Sequence, residues 1–165
     1  MKDQALVTTK TIEDMMDGVL PWSETHRIMS SFKDADRFDK YVSVLQSRVS
    51  WDNQIILPLT PHLFIVKKEN EYIVKCTCSH EFGDYRKNWK TKALIYVRDT
   101  EEKLEAVWRG PRQPDPEKNE VREFYCPGCA TQLEVDAVPP GYPILINFLP
   151  DLEAFYEEWL DRPLP

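Results

Sequence analysis

Glycine is scarce in this sequence, with five residues in 165. None of them builds the glycine-rich loop whose backbone cradles phosphate. Histidine is scarcer. His26, His62 and His80 stand isolated, and no Ser-His-Asp pattern forms around them. Basic charge is also short: 21 Lys and Arg face 28 Asp and Glu, a formal net of −7. The doublets Lys67-Lys68 and Arg86-Lys87 do not make a patch. That argues against a general nucleic-acid binder, which needs clustered phosphate contacts. Long apolar runs are missing too. Ile55–Leu57 and Leu63–Val66 are short, against the ~20 residues that span a bilayer. Met1–Lys10 lack the apolar run of a signal peptide. A soluble, cytoplasmic protein with neither nucleic-acid nor membrane partners is expected, with no catalytic residue to name.

What is present suffices for a core. Hydrophobic residues make up 42% of the chain and charged residues 30%, the balance of an ordinary folded domain. Three segments differ in character. Residues 1–54 read as an N-terminal helical arm. Ile12, Met15, Met16 and Val19 suggest a first amphipathic turn. Ser23 is a candidate cap for a second helix, and Asp34 for a third carrying Phe38, Tyr41, Val42, Leu45 and Val49 at helical spacing. Residues 55–138 read as β-rich. Leu63–Lys68 and Tyr72–Lys75 predict one hairpin, Ala93–Val97 a further strand, and Val121–Tyr125 with Gln132–Val138 a second hairpin. A helix interrupts them. Asp99 and Glu102 resemble a capping box, with Leu104, Val107 and Trp108 on its apolar face. Pro111, Pro114 and Pro116 then force a loop. Residues 139–165 read as a tail. Its helix starts near Pro150-Asp151 and carries Leu152, Phe155, Tyr156, Trp159 and Leu160 on one face. That stripe suits either a groove of this domain or one of a partner.

The chemistry-bearing residues are the four cysteines. They read Cys76-Thr77-Cys78 and Cys126-Pro127-Gly128-Cys129. In a reducing compartment such pairs are metal ligands before they are disulfides. Each pair ends a β-prone run, so two tight turns can supply the four corners of a tetrahedral zinc site. Proline presets one φ, and glycine is expected to take the left-handed conformation that turns amides toward the thiolates. The fold class predicted is therefore α+β: a zinc-ribbon-like β-hairpin core with N-terminal helices and a C-terminal helix. The first pair has a one-residue spacer where two is usual, which leaves His80 open as a ligand in place of one cysteine. Iron is the open alternative to zinc. A redox Cys-x-x-Cys would open a helix, whereas Ala130–Val135 reads as a strand. Four thiolates would saturate the ion, so the site is structural rather than hydrolytic.

Further signposts lie outside the cysteines. They are Trp51-Asp52 with Ile55–Leu59, Cys76-x-Cys78-x-His80-x-Phe82, Asn88-Trp89-Lys90 and Val97–Thr100. Arg122–Pro127 with Cys129 and the tail motif from Pro150 to Leu160 complete them. From about Asp34 to Leu160 the chain resembles the small gamma subunit of acetone carboxylases. Ala130 departs from that pattern, which leads one to expect glycine there. The resemblance implies a heterohexamer of two alpha, two beta and two gamma subunits. It implies that the large subunits use ATP and a manganese ion, Mn(2+), to convert acetone and bicarbonate to acetoacetate. It also implies that the small subunit carries Zn(2+) as a non-catalytic partner. Acetophenone carboxylases are similar, so the ketone stays open. The alternative is a free-standing zinc-ribbon adaptor or regulatory protein.

Overall fold

A computed structural model describes residues 7–108, 110 and 113–165. Three helices open it: α1 (Thr9–Met16), α2 (Trp22–Ser30) and α3 (Arg37–Ser47). The Thr8 hydroxyl caps α1 by accepting from the Thr11 N–H. Helix α2 starts behind Pro21 without a side-chain cap, so Ser23 lies inside it and not at its cap. Asp34 likewise does not cap α3. Its carboxylate accepts the Val7 N–H at 2.9 Å and pairs with Arg37 and Lys40. Ile12, Ile28 and Val7 form a small buried cluster between α1 and α2.

Two antiparallel sheets follow. Strands β1 (Ile55–Thr60), β2 (Leu63–Lys68), β3 (Glu71–Cys76) and β4 (Glu81–Asp84) pair in sequence order. Strands β5 (Leu94–Arg98), β6 (Glu120–Tyr125) and β7 (Gln132–Val138) make the second sheet. The run Leu63–Val66 is buried throughout because β2 is covered on both faces. Leu63 and Ile65 point into the main core with Ile56, Val74, Phe124 and Leu133. Phe64 and Val66 point the other way, toward Leu45 of α3, with Ile55 and Ile73. The apolar stripe of α3 is thus satisfied inside this chain.

Strands β1 and β4 escape the sequence patterns. Pro58 interrupts β1, which tolerates it as an edge strand paired irregularly with β2. β4 has four residues and includes Gly83 at a φ of 86°. The helix after β5, α4 (Glu101–Glu105), is capped by Thr100, whose hydroxyl accepts the Lys103 N–H, and not by Asp99. Asp99 pairs with Lys103 instead. Of the predicted apolar face only Leu104 is buried; Val107 and Trp108 lie beyond the helix and are exposed. Of the loop prolines, Pro111 falls outside the described residues.

The terminal helix begins as α5 (Leu152–Ala154), capped by Asp151, and widens into a π-helical turn over Phe155–Trp159. The wider turn splits the predicted stripe. Leu152 and Tyr156 enter the main core, and Phe155 meets Phe38 of α3 edge-on at 5.1 Å. Trp159 remains 79% exposed. No helix among the described residues is long and apolar enough to cross a membrane.

Candidate metal centre

Strand β3 ends at Cys76 and β6 ends one residue before Cys126. These two cysteines are buried on the main core side, at the meeting of the two sheets. Each is followed by a tight turn. In the first, the Cys76 N–H donates to the His80 carbonyl and the Ser79 N–H to the Cys76 carbonyl, both at 2.9 Å. In the second, the Cys126 N–H donates to the Thr131 carbonyl at 2.9 Å and the Ala130 N–H to the Cys126 carbonyl at 2.8 Å. The turns thereby bring Cys78 and Cys129 back over the strand ends.

The four sulfurs lie within 4.8 Å of one another. Cys78 and Cys126 are 3.6 Å apart, and Cys76 and Cys129 are 3.9 Å apart. A zinc ion with Zn–S distances of ~2.3 Å has tetrahedron edges of ~3.8 Å. Those two separations bracket that figure and are far longer than the ~2.05 Å of a disulfide. All four cysteines are free. The donor set is thus one that could hold a tetrahedral metal ion.

Electrostatics in the site are uneven. Burial pushes the Cys76 thiol up and the Cys126 thiol up to about 12, although the Cys78 amide and the Gly128 and Cys129 amides respectively pull them down. Exposed Cys129 is lowered to about 7, chiefly by the Thr131 hydroxyl 3.2 Å from its sulfur. Thiolates are the ligand form. The buried half of the site therefore favours neutral thiols until a cation balances the charge.

The left-handed conformations fall where the sequence pattern does not put them. Ser79 has a φ of 81° and Ala130 a φ of 57°, whereas Gly128 is not among the left-handed residues. Gly128 is needed for space. A Cβ there would stand 3.0 Å from the His80 Cβ and 3.2 Å from the Cys78 sulfur. Ala130, at the position where glycine is expected, carries the strained backbone itself.

His80 does not join the sulfur group. Its ring stands edge-on to Phe82 at 4.9 Å, and its carbonyl closes the first turn. Phe82 continues the aromatic contacts to Trp89 and on to Phe124. Beside them the side chain of Lys90 is 1% exposed. Its amino group reaches both oxygens of Asp136, at 2.9 and 2.8 Å, and Glu134 at 3.1 Å, and lies 4.9 Å from the Phe124 ring centre. The Asn88-Trp89-Lys90 motif packs the second sheet against the aromatic wall behind the cysteines, a role its sequence does not disclose. Thr77 and Thr131, each hydrogen-bonded near a cysteine sulfur, belong to no pattern in the sequence reading. Their signal was only a threonine next to, or two residues after, a ligand-type cysteine.

Comparison with known proteins adds a second line of observation. The family model described as acetone carboxylase gamma subunit matches residues 49–160. The acetone carboxylase gamma subunit of Xanthobacter autotrophicus is 42% identical over 160 residues, covering 96% of this chain and 95% of the relative. The acetophenone carboxylase beta subunit of Aromatoleum aromaticum is 34% identical over 79 residues, covering 47% of this chain and 61% of the relative. Both relatives are named as subunits of carboxylases.

Proposed function

This chain belongs to the acetone carboxylase gamma subunit family, and from that premise we propose that it is the small, zinc-binding structural subunit of an ATP-dependent ketone carboxylase. The observation that supports a structural role is the closed donor set. The sulfurs of Cys76, Cys78, Cys126 and Cys129 lie within 4.8 Å of one another, and four thiolates leave zinc no open position for water or substrate. Zinc, when bound, supplies charge compensation and cross-linking. The chain's own residues do the rest: Thr131 and the turn amides steady the thiolates, and Gly128 lets the two turns approach. Bound there, the metal joins the end of the first sheet to the end of the second, in the manner of a zinc ribbon.

In this reading catalysis resides in large alpha and beta subunits, two copies of each with two of this chain. Those subunits use ATP and manganese to carboxylate acetone with bicarbonate, giving acetoacetate, and the assembly is cytoplasmic. Within the chain, residues 55–138 serve as the metal-binding unit, residues 1–54 as a helical arm and residues 139–165 as a tail. Co-expression with the large subunits of the same carboxylase tests the proposal. Ketone- and bicarbonate-dependent ATP turnover is expected from the complex and none from this chain alone. Turnover by the isolated, metal-loaded chain would overturn it.

A further inference from the structure

A cleft of about 500 Å³ opens between α1, α3 and the π-helical turn. Phe38, Phe155 and Trp159 line its apolar walls, and Lys33, Asp34 and Arg37 its polar side. Among the described residues nothing covers the Trp159 wall, which is 79% exposed, although its ring stands 6.4 Å from that of Phe155. An indole left in water beside an apolar cleft is the feature that marks an interaction site.

The polar side indicates what the cleft accepts. Two cations face one anion there, in a chain whose net charge is −7. Lys33 gives its amino group to the neutral carbonyls of Ile28, Met29 and Ser31, so its charge is not cancelled. Asp34 is shared among the Val7 N–H, Lys40 and Arg37, and its contact with Arg37 is long, at 3.5 Å. The Arg37 side chain is 15% exposed, and its Nε is a buried nitrogen with no hydrogen-bond partner among the described residues. A buried donor without an acceptor is costly enough that such groups normally have one.

We infer that this cleft is a docking site for a large carboxylase subunit, which inserts an apolar side chain against Trp159 and sets a carboxylate against Arg37. The inference rests on the reading of the chain as a carboxylase subunit and adds the surface through which it assembles. The metal centre is not part of this surface; none of its cysteines lines the cleft.

A competition experiment tests it. The full-length chain is co-expressed in wild-type and variant forms of distinguishable mass with the large subunits, and the complex is purified through a large-subunit tag. Mass spectrometry then reads the ratio of the two forms incorporated. Trp159→Ala and Arg37→Met are each expected to enter at about one-tenth of the wild-type share or less, the scale of an interface anchor. Trp159→Ala is decisive, since truncating so exposed a side chain leaves the core alone. Its metal content should equal that of the wild type. Equal incorporation of Trp159→Ala, with wild type copurifying normally, overturns the cleft and leaves the subunit reading intact. Loss of self-association by that variant with unchanged incorporation also overturns it, and assigns the cleft to a second copy of this chain. Wild-type chain that never copurifies with the large subunits overturns the subunit reading itself.

Discussion

The Tyr156 hydroxyl donates a 2.9 Å hydrogen bond to the carbonyl of Ile56, a hundred residues earlier in the chain. This contact fastens the terminal helix to the first strand inside the main core. Trp159, one turn further on, faces water. Two aromatics of one sequence stripe therefore have opposite consequences. Tyr156→Phe leaves a buried carbonyl unsatisfied and should cost ~1–3 kcal/mol in denaturant unfolding. Trp159→Ala should stay within about 0.5 kcal/mol, as exposed substitutions do. The reverse order would refute this placement of the helix.

Metal content offers the second prediction. Purified protein should carry about one zinc per chain by elemental analysis, and Cys78→Ser should reduce it severely. Chelation should lower the melting temperature sharply, because structural zinc contributes to folding on the scale of ~10 kcal/mol. Metal uptake should release protons, since burial holds Cys76 and Cys126 as neutral thiols and the ligands are thiolates. Apparent affinity should then fall as pH is lowered. Stoichiometric iron with no zinc would sink the assignment.

At the turn itself, Gly128→Ala forces a methyl group to within 3.0 Å of the His80 Cβ and 3.2 Å of the Cys78 sulfur. The turns must part, so faster zinc loss to a chelator is expected than for wild type. Ala130→Gly relieves a left-handed alanine at a φ of 57°. That relief, ~1–2 kcal/mol, is partly offset by the added freedom of the unfolded chain. A neutral to slightly stabilising result should appear in thermal melts. Equal zinc retention by Gly128→Ala would show that the close approach is dispensable.

Buried charge behind the site makes a fourth prediction. Lys90→Met leaves the part-buried carboxylates of Asp136 and Glu134 without their cation and should cost ~1.5–3 kcal/mol, the scale of a charged hydrogen bond. The double variant Lys90→Met with Asp136→Leu should recover part of that loss. Additive costs in a double-mutant cycle would argue that the pair does not couple.

A fifth prediction concerns acid. Arg98 contacts Glu123 at 2.8 Å and holds its carboxyl below the ordinary value, against burial that pushes it up. A carboxyl lowered in the folded state adds stability above its unfolded pKa. That contribution disappears as pH falls through the folded pKa. Stability should therefore decline below about pH 4.5, the carboxyl's ordinary value. Glu123→Gln should flatten this limb and cost ~1.5–3 kcal/mol at neutral pH, the scale of a charged hydrogen bond. An acid limb identical to wild type would remove Glu123 from the account.

Much of the architecture is legible in local pattern. The Leu63–Val66 and Ala93–Val97 runs and the alternations around both cysteine pairs mark five of the seven strands among the described residues, because a strand's side-chain pattern is visible in a few residues. Strand β1 is obscured by Pro58. Strand β4 is too short for any period to show. The helix starts go astray by one or two residues: α4 is capped by Thr100 instead of Asp99, and α2 opens behind Pro21 with no side-chain cap instead of at Ser23, because several neighbouring residues can open a helix.

The sequence alone carries the α+β class, the four cysteines as one candidate metal set and the family. All of these rest on residue type and spacing along the chain. The tertiary structure alone decided that both faces of β2 are buried, that Gly128 supplies space and not a left-handed turn, and that Lys90 sits among carboxylates. It also decided that Tyr156 turns inward while Trp159 stays out. Each of those depends on which distant segment a side chain meets, and spacing along one segment carries no record of its neighbours.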